Sequence, residues 1–150
     1  MAIKTCVAGA TGWVGQVLVR KIVKSSGFTL SGAIARNSAG QDIGTVLGLE
    51  PAGVIISGTL SEALSKPTDV VVDYTSPGSV KDRTLEALGR GVRVVIGTSG
   101  LTASDFDEID EMATRNDLGV IAAGNFSITA TLARHFALFA ARHLPSWGNH

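Results

Sequence analysis

Three glycines near the start of the chain have the spacing of a phosphate-binding turn. The stretch from Gly9 to Gly15 reads Gly-Ala-Thr-Gly-Trp-Val-Gly and follows the apolar run from Ile3 to Ala8. A glycine-rich turn from a strand into a helix points backbone N–H groups at one spot, where the helix dipole adds partial positive charge. The pattern G-x-x-G-x-x-G is a variant of the dinucleotide fingerprint G-x-G-x-x-G. The spacing alone also fits a tight turn without a ligand, so its position after the first predicted strand is what favours nucleotide binding.

Small, polar or aromatic residues follow the later predicted strands. Ligands of doubly wound sheets bind beyond the carboxyl ends of the strands. We therefore expect these residues to form one rim around an extended ligand, although each loop taken alone also fits an ordinary turn. In chain order they are Arg36, Asn37 and Ser38, then Asp73 to Pro77, Gly97 to Gly100, and Ala123 to Ser127.

The end of the second predicted strand bears on the choice of cofactor. An acidic residue about 20 positions beyond the glycine motif binds the ribose 2′-OH of NAD, but no Asp or Glu occurs between Leu30 and Gln41. Arg36 and Asn37 stand there instead. A guanidinium can bind a 2′-phosphate in a bidentate manner, whereas a carboxylate would repel it. The sequence therefore favours NADPH, with NADH and a merely solvated Arg36 left open.

The composition indicates one globular domain. The 150 residues are 45% hydrophobic, which provides enough apolar material for a core. The formal net charge of zero, with no basic stripe, argues against nucleic acid as a partner. Cys6 is the only cysteine, so an internal disulfide is excluded and the residue is interpreted as part of the core. We expect a cytoplasmic protein without signal peptide, membrane span or metal site.

Strand-like and helix-like segments alternate along the chain. The predicted strands are Ile3 to Ala8, Thr29 to Ala35, Val54 to Ser57, Asp69 to Tyr74, Val92 to Ile96 and Leu118 to Ala122. The predicted helices are Gly12 to Ser25, Leu60 to Leu64, Val80 to Arg90, Ser104 to Asn116 and Thr129 to Leu144, with Pro77 and Thr102 as start signals. Strands that are apolar on both faces indicate a parallel sheet covered on both sides. The predicted fold class is α/β, a doubly wound parallel sheet of Rossmann type.

Five motifs taken together resemble the dihydrodipicolinate reductase family of bacterial and plant lysine biosynthesis. They are Val7 to Gly15, Gln41 to Gly44, Asp73 to Thr75, Gly97 to Gly100 and Asn125 to Ser127. They occur in the family's order and at about its spacing. The resemblance covers nearly the whole chain but only the family's N-terminal cofactor domain. It implies hydride transfer from NAD(P)H to a cyclic unsaturated dicarboxylate in lysine and diaminopimelate biosynthesis.

The resemblance also implies which residues contact the cofactor. The glycine turn would hold the pyrophosphate, and Arg36 falls where the family often has an acidic residue that binds the adenosine ribose. Thr75 would line the path between the two ends of the cofactor, and Phe126 would form an apolar wall over the nicotinamide. The complete set of candidates is Gly9, Ala10, Thr11, Gly12, Trp13, Val14, Arg36, Asn37, Thr75, Gly97, Thr98, Ser99, Ala123, Gly124, Asn125 and Phe126.

The chain departs from the family's pattern in several respects. Ser127 is followed by Ile128, Thr129 and Ala130, where the family usually has a glycine. Trp13 and Val14 stand where the family commonly has arginine and methionine, so we expect less charge near the pyrophosphate. The His-His pair, lysine and Ser-Gly-Thr segment of the family's substrate domain do not occur in these 150 residues. We therefore expect residues 1–128 to form the dinucleotide-binding domain and residues 129–150 to lead toward a substrate domain that is absent. No catalytic residue is assigned.

Three functional interpretations follow from the sequence. The chain is the cofactor domain of a reductase that binds its substrate only in a full-length form, or it is a stand-alone NAD(P)-binding module without turnover. In the third, it belongs to a related amino-acid dehydrogenase or imine-reducing enzyme with a different substrate. The last predicted helix carries apolar residues such as Leu132, Phe136 and Phe139 that lack an obvious partner. An uncovered apolar patch favours self-association, so we expect a homo-oligomer.

Overall fold

The computed structural model describes residues 1–124 and 126–143, in which six strands alternate with six helices. In chain order these elements are β1 (Ile3–Ala8), α1 (Trp13–Ile22), β2 (Phe28–Ile34), α2 (Ile43–Val46), β3 (Ile56–Ser57), α3 (Leu60–Ala63), β4 (Val70–Asp73), α4 (Pro77–Gly89), β5 (Arg93–Ile96), α5 (Ala103–Arg115), β6 (Val120–Ala122) and α6 (Ile128–His143). All six strands are parallel, in the spatial order β3-β2-β1-β4-β5-β6. This is the doubly wound order of a Rossmann-type sheet, as the alternating pattern predicted. The order reverses between β1 and β4, which opens a crevice at their carboxyl ends.

Two apolar clusters cover opposite faces of the sheet. Cys6 and Ala8 of β1 belong to the cluster with α3, α4 and α5, whereas Val7 belongs to the cluster with α1 and α2. This alternation follows from the period of two along a strand. Cys6 has no exposed surface, and burial raises the pKa of its thiol to about 12. The interpretation of Cys6 as a core residue is therefore confirmed.

Local signals position the two helices behind β4 and β5. The hydroxyl of Thr102 accepts the N–H of Asp105 at 3.2 Å, and the Asp105 carboxylate accepts the N–H of Thr102 at 2.8 Å. This reciprocal capping box confirms Thr102 as the N-cap of α5. Pro77 is itself the first residue of α4, three positions before the predicted start. A proline at this position costs no hydrogen bond, because the first N–H groups of a helix have no partner within it.

Two strands, β3 and β6, begin two residues later than the sequence predicts. Leu118 donates its N–H to the carbonyl of Ala113 at 2.9 Å, so it closes α5 instead of starting β6. Val54 donates its N–H to the Asp42 carboxylate at 3.2 Å and therefore belongs to the loop before β3. In both cases a contact with a neighbouring element replaces a bond of the strand ladder.

The last helix, α6, buries none of its residues. Leu132, Phe136 and Phe139 are 49%, 69% and 65% exposed, so the expectation of an uncovered apolar face is confirmed. Leu144, the predicted last residue of this helix, lies outside the described residues. Among the described residues, no helix has both the length and the apolar character needed to cross a membrane.

Candidate functional site

The turn between β1 and α1 requires glycine at its first and third motif positions. Gly9 has a φ of 80°, and a β-carbon built there would lie 2.1 Å from the carbonyl oxygen of Tyr74. A β-carbon at Gly15 would lie 2.0 Å from the carbonyl oxygen of Gly9. The first glycine therefore makes the turn and admits the neighbouring loop, and the third lets α1 pack directly on the turn. These are the roles that a dinucleotide fingerprint assigns to its glycines.

The backbone N–H groups of the turn fall into two sets, those bonded within the fold and those without an acceptor among the described residues. Gly12 belongs to the first set, because it donates to the Gly9 carbonyl at 2.9 Å. Gly9 and Ala10 both donate to the carbonyl of Ile34, at 2.9 and 3.0 Å, so they attach the turn to the end of β2. Within residues 1–124 and 126–143, the N–H groups of Thr11, Trp13 and Val14 have no acceptor. The first turn of α1 also contains no acidic side chain. Unpaired donors at the positive end of a helix dipole suit an anionic group such as a pyrophosphate.

An unpaired cation lies at the neighbouring strand end. Arg36 follows β2 by two residues, and its side chain is exposed, as is that of Asn37. Among the described residues the Arg36 guanidinium forms no ion pair. Because the Ile34 carbonyl holds the glycine turn, Arg36 and the turn lie at the same edge of the sheet. The arginine therefore remains available to a second phosphate.

Tyr74 connects the glycine turn to the end of β5. Its carbonyl oxygen lies against Gly9, and its ring occupies the space beside Gly97, where a β-carbon would lie 2.1 Å from Cζ. Thr75 is also close, because its methyl carbon would be 3.4 Å from a β-carbon on Gly9. Half-buried Thr98 and exposed Ser99 continue the loop after Gly97. The structure thus brings together the predicted candidates from the ends of β1, β4 and β5.

The loop after β6 completes the same edge. Ala123 donates its N–H to the Ile96 carbonyl at 3.1 Å. The Phe126 ring lies with its centroid 6.5 Å from that of Tyr74, at an interplanar angle of 56°. Gly124 is exposed, and Asn125 lies outside the described residues. Phe126 therefore stands beside Tyr74 at the edge where the other candidates meet.

The motif from Gln41 to Gly44 has a structural explanation. The Asp42 carboxylate accepts N–H groups from Thr45 at 3.1 Å, Ala52 at 2.9 Å and Val54 at 3.2 Å. The bonds from Ala52 and Thr45, with that of Ala52 contributing most, lower the pKa of Asp42. Asp42 thus caps α2 and closes the long connection between β2 and β3. Its side chain is occupied by its own loop.

Sequence reasoning missed an ion pair behind the site. Asp73, the last residue of β4, is 1% exposed, and its carboxylate accepts a hydrogen bond from the Arg83 guanidinium of α4 at 2.7 Å. A carboxylate at the end of a doubly apolar strand signals that a buried cation must be nearby. The sequence could not show which of the chain's cations that is, because ten residues separate the two partners.

Fold and site together define a class of protein. A parallel sheet in Rossmann order, with a glycine turn and unpaired N–H groups at its switch point, is a dinucleotide-binding domain. The sequence matches the family model described as "Dihydrodipicolinate reductase, N-terminus" over residues 3–126. The chain therefore belongs to this family, as the resemblance of its motifs predicted.

Curated relatives named 4-hydroxy-tetrahydrodipicolinate reductase match along nearly the whole chain. The 4-hydroxy-tetrahydrodipicolinate reductase of Moorella thermoacetica is 36% identical over 144 residues, which are 95% of this chain and 54% of that protein. The enzyme of the same name from Desulfitobacterium hafniense is 39% identical over 145 residues, again 95% and 54%. The chain thus spans about half the length of the curated relatives it matches.

Solved structures agree with the fold. The dipicolinate-bound dihydrodipicolinate reductase of Paenisporosarcina sp. TG-14 superposes with a TM-score of 0.75 at 31% identity, covering 94% of this chain and 54% of that one. GenD2 from gentamicin A biosynthesis, solved in complex with NAD, gives a TM-score of 0.73 at 21% identity over 95% of this chain and 40% of that one. The second likeness concerns the fold alone.

Proposed function

We propose that this chain is the nicotinamide-cofactor-binding domain of a 4-hydroxy-tetrahydrodipicolinate reductase and that its preferred cofactor is NADPH. The observation that carries the proposal is the set of unpaired N–H groups on Thr11, Trp13 and Val14, at the same sheet edge as Arg36 and Gly97. The relatives supply the reaction, since both are named as this reductase. Residues 1–128 form the cofactor domain in this proposal, and residues 129–150 lead out of it.

In the glycine turn, one set of residues binds the pyrophosphate and another gives the turn its shape. Thr11, Trp13 and Val14 supply the donors, whereas Gly9 and Ala10 give the turn its shape, because their N–H groups are already bonded to Ile34. Donors fixed by the backbone need no ordering when the anion arrives, which favours binding. The absence of an acidic residue from the first turn of α1 removes a source of repulsion.

Arg36 sets the preference for NADPH in this proposal. Its guanidinium is exposed and unpaired within the described residues, so binding a 2′-phosphate breaks no ion pair. Guanidinium groups bind phosphate oxygens in a bidentate manner. A ribose 2′-OH, as in NADH, offers Arg36 no negative charge. Asn37 stands beside it as a further hydrogen-bonding group.

The other strand ends position the nicotinamide. Backbone groups of Gly97, Thr98 and Ser99 face its carboxamide in this proposal, and Ala123, Gly124, Asn125 and Phe126 close over the ring. Thr75 lines the path between the two ends of the cofactor. When bound, the dihydronicotinamide supplies a hydride for a cyclic unsaturated dicarboxylate. This chain's part is to orient the ring and exclude water from it.

A fluorescence titration tests the proposal. The chain has two tryptophans, Trp13 and Trp147, so a Trp147→Phe background leaves Trp13 as the only indole. Trp13 is 92% exposed beside the unpaired donors. We expect saturable energy transfer from Trp13 to the reduced nicotinamide, with NADPH binding at least about tenfold more tightly than NADH. Absence of saturable binding of either cofactor would overturn the proposal.

Charge-reversed variants separate the cofactor preference from binding itself. Arg36→Asp should reverse the preference, because a carboxylate repels the 2′-phosphate and accepts a hydrogen bond from the 2′-OH. Arg93→Asp is the matched control, since Arg93 is also exposed but opens β5 at the opposite edge of the sheet. The control should keep the NADPH preference. If the chain without substitutions binds NADH more tightly than NADPH, the proposed role of Arg36 is refuted. The proposed dinucleotide site would not be affected by that result.

A further inference from the structure

The Asp73 carboxylate ties together two loops of the proposed nicotinamide site. Its Oδ1 atom accepts hydrogen bonds from the Thr75 hydroxyl at 2.6 Å, the Thr75 N–H at 3.0 Å and the Thr98 hydroxyl at 2.9 Å. Thr75 belongs to the loop after β4 and Thr98 to the loop after β5. The Thr75 N–H also donates to the Thr98 hydroxyl at 2.8 Å. One buried carboxylate thus fixes the relative position of both loops.

Arg83 pairs with this carboxylate from the side of α4. Its Nη1 atom donates to Asp73 Oδ2 at 2.7 Å and to the Thr75 hydroxyl at 2.8 Å. Asp73 is 1% exposed and the Arg83 side chain 18%. A buried carboxylate without a cation carries a large desolvation cost, so removing Arg83 would leave the charge uncompensated. The guanidinium therefore compensates the negative charge of Asp73 and also orients Thr75.

The bonds leave a specific surface for a ligand. Both threonine hydroxyls direct their protons to Asp73, so they act inside the network. The N–H of Gly97 also points inward, to the Asp73 carbonyl at 2.9 Å. A ligand beside Thr75 can therefore contact the Thr75 methyl group, which faces Gly9. It can also contact those backbone groups of the two loops that the network does not use.

We propose that Asp73 and Arg83 are positioning residues that set the Thr75 and Thr98 loops for the nicotinamide half of the cofactor. This inference rests on the proposed function. It concerns two residues that hydrogen-bond to the loops and act on the cofactor through them. It predicts that breaking the network weakens contacts with the nicotinamide half and spares those with the adenosine half, which the glycine turn and Arg36 provide.

Two ligands separate these halves in one experiment. NADPH spans the whole site, whereas adenosine 2′,5′-bisphosphate occupies only its adenosine end. We would measure the affinity of both by calorimetry for the full chain and for the variants Asp73→Asn, Arg83→Lys and Thr98→Val. We expect each variant to bind NADPH at least about tenfold more weakly and to bind the bisphosphate within about twofold of the unchanged chain. Thermal unfolding of each variant provides a parallel readout.

Conservative and remote substitutions complete the test. Thr98→Ser keeps the hydroxyl that donates to Asp73 and should restore the NADPH binding that is lost in Thr98→Val. Because both variants concern position 98, this comparison remains valid even if Asp73→Asn fails to fold. Lys81→Met removes another α4 cation, which pairs with Asp105 and Glu108 of α5 at 3.0 and 2.7 Å, and should leave both affinities unchanged.

Unchanged NADPH affinity in Thr98→Val, or a parallel loss of affinity for both ligands, would overturn the inference. If the chain without substitutions binds the bisphosphate but not NADPH, the inference about the nicotinamide loops fails, whereas the assignment of the adenosine end is kept. If it binds neither ligand, the proposed function fails as well.

Discussion

The ring of Tyr74 fills the place that a side chain at Gly97 would take. A β-carbon at Gly97 would lie 2.1 Å from Cζ of this ring and 2.2 Å from Cε1. The ring is only half-buried, so it can move away, but it cannot share the space with a methyl group. The glycine thus lets an aromatic side chain of one loop lie directly against the backbone of the next.

Replacing Gly97 should affect binding more than stability. In Gly97→Ala the Tyr74 ring must move out of its position, which disturbs the loops after both β4 and β5. We expect NADPH affinity to fall at least about tenfold, while the free energy of unfolding falls by about 1 kcal/mol, as for modest overpacking. Calorimetric titration and urea unfolding measure the two effects. A variant that binds NADPH as well as the unchanged chain would contradict this description of the site.

Replacing Gly9 should affect stability directly. The added methyl group meets the backbone carbonyl of Tyr74, which cannot rotate away, and the φ of 80° is unfavourable for alanine. We expect Gly9→Ala to lower the free energy of unfolding by about 2 kcal/mol or more. Gly89→Ala is the matched control, since open space surrounds that position at the end of α4, and it should be neutral or slightly stabilising. Equal stability of the two variants in urea would disprove the prediction.

The alternation of strands and helices was predictable because the apolar periods are local. The same is true of the N-cap at Thr102, where both partners lie within three residues. The attachment of Gly9 and Ala10 to Ile34 was not predictable, because it joins positions about 25 residues apart. The sequence therefore named Gly9 and Ala10 among the cofactor-binding residues without showing that their N–H groups are bonded to Ile34. The pairing of Asp73 with Arg83 could not be predicted for the same reason, since only the folding of α4 back against the sheet brings the two side chains together.

The capping box of α5 should make stability depend on pH in acid. The N–H of Thr102, its hydroxyl and Lys81 all bind the Asp105 carboxylate and together lower its pKa from 3.8 to about 2. A carboxyl whose folded pKa is depressed stabilises the fold above its unfolded pKa and loses this effect as protons bind. We therefore expect the contribution of Asp105 to vanish between about pH 4 and pH 2.

Urea unfolding of Asp105→Asn across this range checks the pH dependence. The difference in stability between this variant and the unchanged chain should shrink as the pH falls from about 4 to about 2. Asp107→Asn is the control, because Asp107 is exposed on the same helix and forms no ion pair or hydrogen bond within the described residues. A pH-independent difference for Asp105→Asn would show that its carboxylate is not preferentially stabilised in the folded state.

The apolar face of α6 should drive self-association. Phe136 and Phe139 are 69% and 65% exposed on a helix that buries none of its residues. Exposed apolar patches of this kind favour association in water. We expect light scattering to give a mass above that of one chain, and the double variant Phe136→Gln, Phe139→Gln to shift it toward the monomer. A monomer at high concentration of the unchanged chain would refute the prediction.

The most direct test of the account is to locate the cofactor on the chain by NMR. In the ¹⁵N-labelled chain, titration with NADPH should produce saturable shifts of the backbone amides of Thr11, Trp13 and Val14, together with those of the loop from Gly97 to Ser99. These groups lie at the carboxyl edge of the sheet, where the unpaired donors and Arg36 meet. Saturable shifts confined to the opposite edge, or no saturable shift at all, would contradict the claim that this edge binds a nicotinamide dinucleotide.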